Sequence, residues 1–167
     1  MGTRGIQIIE MDVKKLINLL NKALADEWLA YYQYWIGAKV VVGPMKNAAV
    51  TELTEHANDE LRHAGMLTDR ILQLKGTPVL EPKDWYKLTN CGYLPPKDPS
   101  ILKVLQQNIK GEQCAIDTYQ KLLKMTKDKD HITNQMILEI LKDEIEHEDD
   151  LQNLVEDIKH KPKAGKK

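Results

Sequence analysis

Three things are missing from this sequence, and each absence closes off a class of protein. No apolar run is longer than a few residues, and none approaches the about 20 that a membrane span needs. Cysteine is nearly absent: Cys91 and Cys114 alone do not make a disulfide scaffold. An excess of charge is missing too, since 24 Lys+Arg against 25 Asp+Glu leave a net −1 and no chain-wide surface for nucleic acid. The residues around Met1-Gly2-Thr3-Arg4-Gly5 have no apolar signal core behind them, which predicts a cytoplasmic protein. What is present is a chain of 167 residues, 42% apolar and 29% charged. That predicts one soluble globular domain over residues 1–167, large enough to bury a core unaided.

Helical periodicity dominates. Val13, Leu16, Leu20, Ala23, Glu27, Ala30, Tyr34, Gly37 and Val41 recur at alternating steps of three and four, one face of a long helix over about 12–42. Gly43-Pro44 breaks it, with Pro44 suited to the first turn of the next helix, about 44–75. That helix carries the stripe Ala49, Leu53, His56, Glu60, His63, Leu67, Ile71 and Leu74, and Gly76 with Pro78 end it. Residues 77–98 hold four prolines and read as a long crossover, with room for a short helix near Asp84-Trp85-Tyr86-Lys87. Asp98-Pro99 reads as a cap and first turn for a helix over 99–127, striped by Leu102, Leu105, Ile109, Glu112, Ile116, Tyr119 and Leu123. Asp130 then caps a helix over 131–159 with Ile137, Ile140, Glu144, His147, Leu151, Leu154 and Ile158 on one face. The expected fold is all-α: a four-helix bundle with one crossover connection and a basic tail over 159–167.

The stripes are interrupted by acid at one level, by Glu27, Glu60 with His63, Glu112, and Glu144 with His147. The second half of the chain repeats the first 84 or 85 residues later, Asp59-Glu60-Leu61-Arg62-His63 against Asp143-Glu144-Ile145-Glu146-His147. Residues three apart on a helix differ by about 60° in azimuth and about 4.5 Å in rise, so each Glu-x-x-His aims both side chains at one point. Four bare carboxylates in an apolar core would be prohibitive, whereas two divalent cations would balance them. The set is that of the di-iron and di-manganese carboxylate bundles, and stripes without cysteine argue against a thiolate site. Tyr34 and Tyr119, each seven residues after its helix's glutamate, are candidates to hydrogen-bond ligand carboxylates or carry an electron. Asp59 and Asp143, each just before a ligand glutamate, are candidates to orient a histidine on a neighbouring helix. The alternatives are core tyrosines and solvated aspartates.

On these residues the sequence resembles the ferritin-like superfamily across its four helices, and its ligand pattern is similar to bacterioferritin. That resemblance implies a ferroxidase centre of Glu27, Glu60, His63, Glu112, Glu144 and His147 holding two Fe ions per subunit, with Mn or Zn as substitutes. Leu61 stands where bacterioferritin has its haem-binding methionine, so no haem is expected. Lys159–Lys167 has no room for the fifth helix of 24-subunit cages, and the short helix near Trp85 resembles Dps, the family of 12-subunit cages. A bacterioferritin-type site on a Dps-like body resembles the thioferritins, whose cysteine pair matches Cys91 in the crossover and Cys114 just after Glu112. Cys114 lies about 200° around the helix from Glu112, out of the bundle, so Cys91 and Cys114 are either a disulfide pinning crossover to helix or two buried thiols.

The resemblance implies a homo-oligomeric, dodecameric iron-storage cage that oxidises Fe(II) with hydrogen peroxide, or less readily oxygen, against oxidative stress. Glu60 and Glu144 would bridge the two metals. Glu146, Glu148, Asp149 and Asp150 are either carboxylates of a cavity or a solvated face. Two other readings compete: a manganese catalase or other di-metal oxidase with the same ligands, and a Dps-type nucleoid protein using Lys159, Lys161, Lys163, Lys166 and Lys167 on DNA. A rubrerythrin is disfavoured because no Cys-x-x-Cys pair exists.

Overall fold

The computed structural model describes residues 4–160. Lys161, Lys163, Lys166 and Lys167 lie outside them, and so does the DNA-binding expectation that rests on them. Among the described residues the fold is all-helical: α1 (Arg4–Gln7), α2 (Val13–Val40), α3 (Lys46–Gln73), a 3-10 turn (Pro82–Asp84), α4 (Trp85–Leu88), α5 (Ile101–Thr126) and α6 (His131–Lys159). No helix among them is long and apolar enough to cross a membrane.

Local chemistry sets the ends. Asp12 caps α2 by accepting from the Lys15 amide at 3.1 Å, and Asp130 caps α6 by accepting from the Thr133 amide at 3.1 Å. The end of α3 is a Schellman motif: the Gly76 amide reaches the Ile71 carbonyl at 2.9 Å and the Lys75 amide the Leu72 carbonyl at 3.0 Å. The left-handed residue there is Lys75 (φ 60°), not the glycine. Gly76 is needed for close approach instead, because a Cβ on it would lie 2.7 Å from Ile17 Cγ2 of α2.

Two helix starts differ from the sequence expectation. Pro44 sits in the turn rather than in α3, because Gly43 (φ 134°) and Met45 (φ 60°) reverse the chain first. Pro99 precedes α5, whose cap is Ser100. The Pro99 carbonyl is taken by the Val42 amide at 2.8 Å, and the Ile101 amide returns to the Val42 carbonyl at 2.9 Å. That parallel bridge ties the end of α2 to the start of α5, so the two helices run antiparallel. Each of α2·α3 and α5·α6 is a hairpin, and the crossover lets the second hairpin pack on the first. The crossover's short helix docks through Trp85, stacked on Trp28 at 5.4 Å between centroids and 6° between planes.

The core is two apolar layers. One gathers Leu16, Leu20, Leu67, Ile71, Ile137 and Ile140 around Tyr119, and the other Leu53, Val104, Leu105 and Leu151 around Tyr34. Between them lies a buried polar layer contributed by all four long helices.

Candidate dinuclear metal centre

The polar layer contains the six residues singled out by spacing, all buried: Glu27 from α2, Glu60 and His63 from α3, Glu112 from α5, Glu144 and His147 from α6. They form two overlapping groups. His63 Nδ1 faces Glu27 Oε2 at 3.3 Å, Glu60 Oε2 at 3.4 Å and Glu144 Oε1 at 3.3 Å. His147 Nδ1 faces Glu60 Oε1 at 3.7 Å, Glu112 Oε2 at 4.0 Å and Glu144 Oε2 at 3.5 Å. Glu60 and Glu144 thus belong to both groups and divide their oxygens between them. Each group is one imidazole and three carboxylates, a donor set suited to Fe, Mn or Zn.

The surroundings repeat this twofold logic. Because α2 and α5 are antiparallel, each tyrosine reaches the other helix's glutamate: Tyr34 donates to Glu112 Oε1 and Tyr119 to Glu27 Oε1. Each aspartate crosses between α3 and α6: Asp143 Oδ2 lies 3.2 Å from His63 Nε2, and Asp59 Oδ2 lies 3.5 Å from His147 Nε2. A carboxylate on Nε2 favours a proton there and turns Nδ1 inward. The four supporting residues proposed from spacing therefore all touch one of the six.

The metal-free layer is electrostatically tense. Burial, then repulsion from Glu144, pushes Glu60 and Glu112 well above the ordinary carboxylate range. Burial and the Glu27 charge raise Glu144. Burial disfavours a charged His63, but the Glu144, Glu27 and Glu60 carboxylates outweigh it and raise His63. Burial would raise Glu27 as well, yet His63 and the other hydrogen bonds hold it below its usual value. Burial first, and the glutamates second, raise both tyrosines, which stay neutral donors. Glu27 Oε2, Glu112 Oε2, both oxygens of Glu144 and His147 Nδ1 are buried without a hydrogen-bond partner. Orphaned acceptors of this kind, converging from four helices, are what two bound cations would satisfy.

Cys91 and Cys114 are joined in a disulfide, with Cα atoms 5.7 Å apart. The same stretch of crossover is clamped by Asp26, which accepts from the Thr89 hydroxyl, from the Asn90 amide at 2.8 Å and from the Cys91 amide at 3.0 Å. A cavity of about 140 Å³ runs from Cys91 and Leu94 inward to Glu27, Glu60, Glu112 and Glu144.

The sequence reading passed over two residues. His56 is on the α3 stripe four residues before Glu60, which was the available signal, and it stacks on His147 at 4.0 Å. Burial, then the neighbouring His147, depresses its pKa to about 3. Arg62 gathers both aspartates, Asp143 Oδ2 at 2.5 Å and Asp59 Oδ1 at 3.1 Å, a role visible only once α3 and α6 are packed. In the acidic run, Glu148 accepts from Gln113 and Gln152, each at 2.8 Å, and Asp149 from Asn153 at 3.3 Å. Glu146 and Asp150 instead line a cleft with His56.

Comparison with known proteins agrees with this fold. The family model of the ferritin-like domain matches residues 17–160. A DNA protection during starvation protein of Pyrococcus furiosus is 35% identical over 148 residues, covering 87% of this chain and 79% of that protein. A bacterioferritin of Streptomyces coelicolor is 31% identical over 143 residues, covering 83% and 78%. Among solved structures, a bacterioferritin-related protein of Bacteroides fragilis, described as a dodecameric thioferritin, superposes with a TM-score of 0.93 at 44% identity over 95% of each chain. Dps of Thermosynechococcus elongatus shares the fold, with a TM-score of 0.81 at 16% identity over 85% of this chain and 90% of that one.

Proposed function

The chain belongs to the ferritin-like domain family, and on that premise we propose that it is a ferroxidase and iron-storage subunit. It forms one ferritin-like domain that assembles with copies of itself into a dodecameric cage and oxidises Fe(II) with hydrogen peroxide. The observation that carries this reading is the division of Glu60 and Glu144 between His63 and His147. Two carboxylates, each offering one oxygen to either side, suit a pair of ions held about 3.5–4 Å apart. Glu27 with His63, and Glu112 with His147, are then the terminal ligands of the two Fe(II) substrate ions.

Pairing the ions matches the oxidant. Hydrogen peroxide takes two electrons, one from each Fe(II), and with two protons leaves as two water molecules. The chain's residues prepare that step. Asp143 and Asp59 fix the imidazoles with Nδ1 inward, while Tyr34 and Tyr119 hold the terminal glutamates by hydrogen bonds. Protons on Glu60, Glu112, Glu144 and His63 leave as the cations bind, so the apolar layers never bury uncompensated charge. The cavity beneath the crossover admits a molecule as small as peroxide.

The test is anaerobic loading with Fe(II), addition of measured peroxide or oxygen, and gel filtration. Two Fe(II) oxidised per peroxide, with many more than two irons retained per subunit in a large particle, are expected. Two or fewer retained, with oxygen evolved from peroxide, would replace this reading with a catalase-like one.

A further inference from the structure

The cavity beneath the crossover exists because the helices around it carry small residues. Ala30, three residues after Glu27, and Gly111 with Ala115, either side of Glu112, leave about 140 Å³ open between α2 and α5. Two amides line the same space, Gln33 of α2 and Asn108 of α5, 7% and 1% exposed. They belong to one chain of hydrogen bonds. The Leu94 amide donates to Gln33 Oε1 at 2.8 Å, Gln33 Nε2 donates to Asn108 Oδ1 at 2.9 Å, and Asn108 Nδ2 donates to the Val104 carbonyl at 2.9 Å. A carboxamide has two N–H donors and an oxygen with two lone pairs. After these bonds each of the two amides keeps one N–H and one lone pair.

Packing does not require that surplus, since two apolar side chains would close α2 on α5 without it. Nor does the pair come from the internal repeat. The offset that takes Glu27 to Glu112 and Ala30 to Ala115 takes Gln33 to Thr118, and it takes Ala23 to Asn108. The ligands are duplicated and the amides are not.

We propose that Gln33 and Asn108 form a docking site for hydrogen peroxide and select it over dioxygen. Peroxide has two O–H donors and lone pairs on both oxygens, so it can accept the spare N–H of one amide and donate to the spare lone pair of the other. It replaces displaced water bond for bond. Dioxygen has no donor and is a poor acceptor, so it displaces water without restoring those bonds. A site built to hydrogen-bond a hydroxyl discriminates strongly against an analogue that lacks one. Charge works in the same direction. The amides are neutral and do not attract Fe(II), and the exposed Lys110 ammonium on the same cavity repels it. The cavity is therefore an entrance for a neutral oxidant. This selectivity rests on the ferroxidase reading; the peroxide site itself does not.

The test has two arms, both on assembled protein. In the first, crystals loaded with Zn(II), which peroxide does not oxidise, are soaked in hydrogen peroxide. Two-atom density between Gln33 and Asn108 is expected in wild type and not in Asn108→Leu. In the second, Fe(II)-loaded protein is mixed with limiting peroxide or limiting oxygen. Asn108→Leu and Gln33→Met should each oxidise Fe(II) about tenfold more slowly with peroxide and within about twofold of wild type with oxygen. Two variants guard against a packing defect in one. Gln107→Met removes another hydrogen bond to Leu94, at 3.1 Å, without touching the pair, and should keep the wild-type ratio of the two rates. Single-atom or no density in soaked wild type, or a ratio of the two rates that Asn108→Leu and Gln33→Met both leave unchanged, would overturn the proposal. Wild type that oxidises no Fe(II) would refute the ferroxidase reading and the selectivity with it, while the soaked crystal still decides the site.

Discussion

Cutting the Cys91–Cys114 link tests the structure with a magnitude that can be worked out beforehand. The bond closes a loop with a sequence separation of 23. In the chain-entropy model that loop restrains the unfolded chain by about 3 kcal/mol at 25 °C. The folded state should change little, because Asp26 still holds Thr89, Asn90 and the residue 91 amide by hydrogen bonds independent of sulfur. Most of the loss therefore belongs to the unfolded ensemble and survives as a loss of stability. For a chain of this length, about 3 kcal/mol is a fall of roughly 6–12 °C in Tm. The assay is thermal unfolding followed by circular dichroism, for wild type, wild type with reductant, and Cys91→Ser/Cys114→Ser. All samples share one protein concentration, because assembly makes Tm depend on it. Reductant should carry wild type down to the variant's value and leave the variant unmoved. Midpoints within 2 °C of each other across the three would refute the idea that this bond restrains the chain.

Other expectations concern the centre and its scaffold. Asp143→Asn should weaken Zn(II) binding at the centre about 10–100-fold in a competitive titration, because His63 loses its outer partner; a change below threefold would refute that role. Metal-free protein should lose stability as pH rises from about 5 to 8. The sign follows because Glu60, Glu112, Glu144 and His63 all have folded pKa values above their unfolded ones, so their stabilisation is present below the unfolded value and lost as pH climbs through the folded one. Glu27, held low, changes nothing above its unfolded value, and His56, depressed to about 3, opposes the trend only up to its unfolded value of 6.5. Zn(II)-loaded protein should reverse the slope, and equal slopes in denaturant melts would count against the argument. At the end of α3, Gly76→Ala should cost about 1–3 kcal/mol through contact with Ile17. Lys75→Gly should gain about 1 kcal/mol by relieving its left-handed backbone; urea melts that rank the two the other way would refute the assignment.

The helices were legible because stripes such as Val13-Leu16-Leu20-Ala23 state their period locally. Their starts at Pro44 and Pro99 were not: Pro44 is displaced by the left-handed backbone of Gly43 and Met45 beside it, and Pro99 by a bridge between Val42 and Ser100, over 50 residues apart. The six buried acids and histidines could be grouped from spacing alone, since each departs from an apolar stripe. The direction of Cys114 followed from the helical wheel, but its bond to Cys91 depended on how the crossover drapes. Arg62 was hidden for the same reason: its partner Asp143 is 81 residues away. His56 was on the stripe in plain view; a lone histidine among apolar residues announces nothing until His147 is stacked against it.

That histidine also breaks a symmetry. Nearly everything around the two proposed metal positions comes in pairs, yet the residue 84 positions after His56 is Ile140, buried in the apolar layer around Tyr119. One half of the centre is thus backed by hydrocarbon, while the other is backed by a polarisable ring beside an acidic cleft. Two positions built from identical donors are thereby made unequal. If the proposed centre holds two ions, the one beside His147 would have a wetter, more anionic neighbourhood, and the two would load in sequence and exchange at different rates. Any direction of traffic would then be written into the scaffold rather than into the ligands.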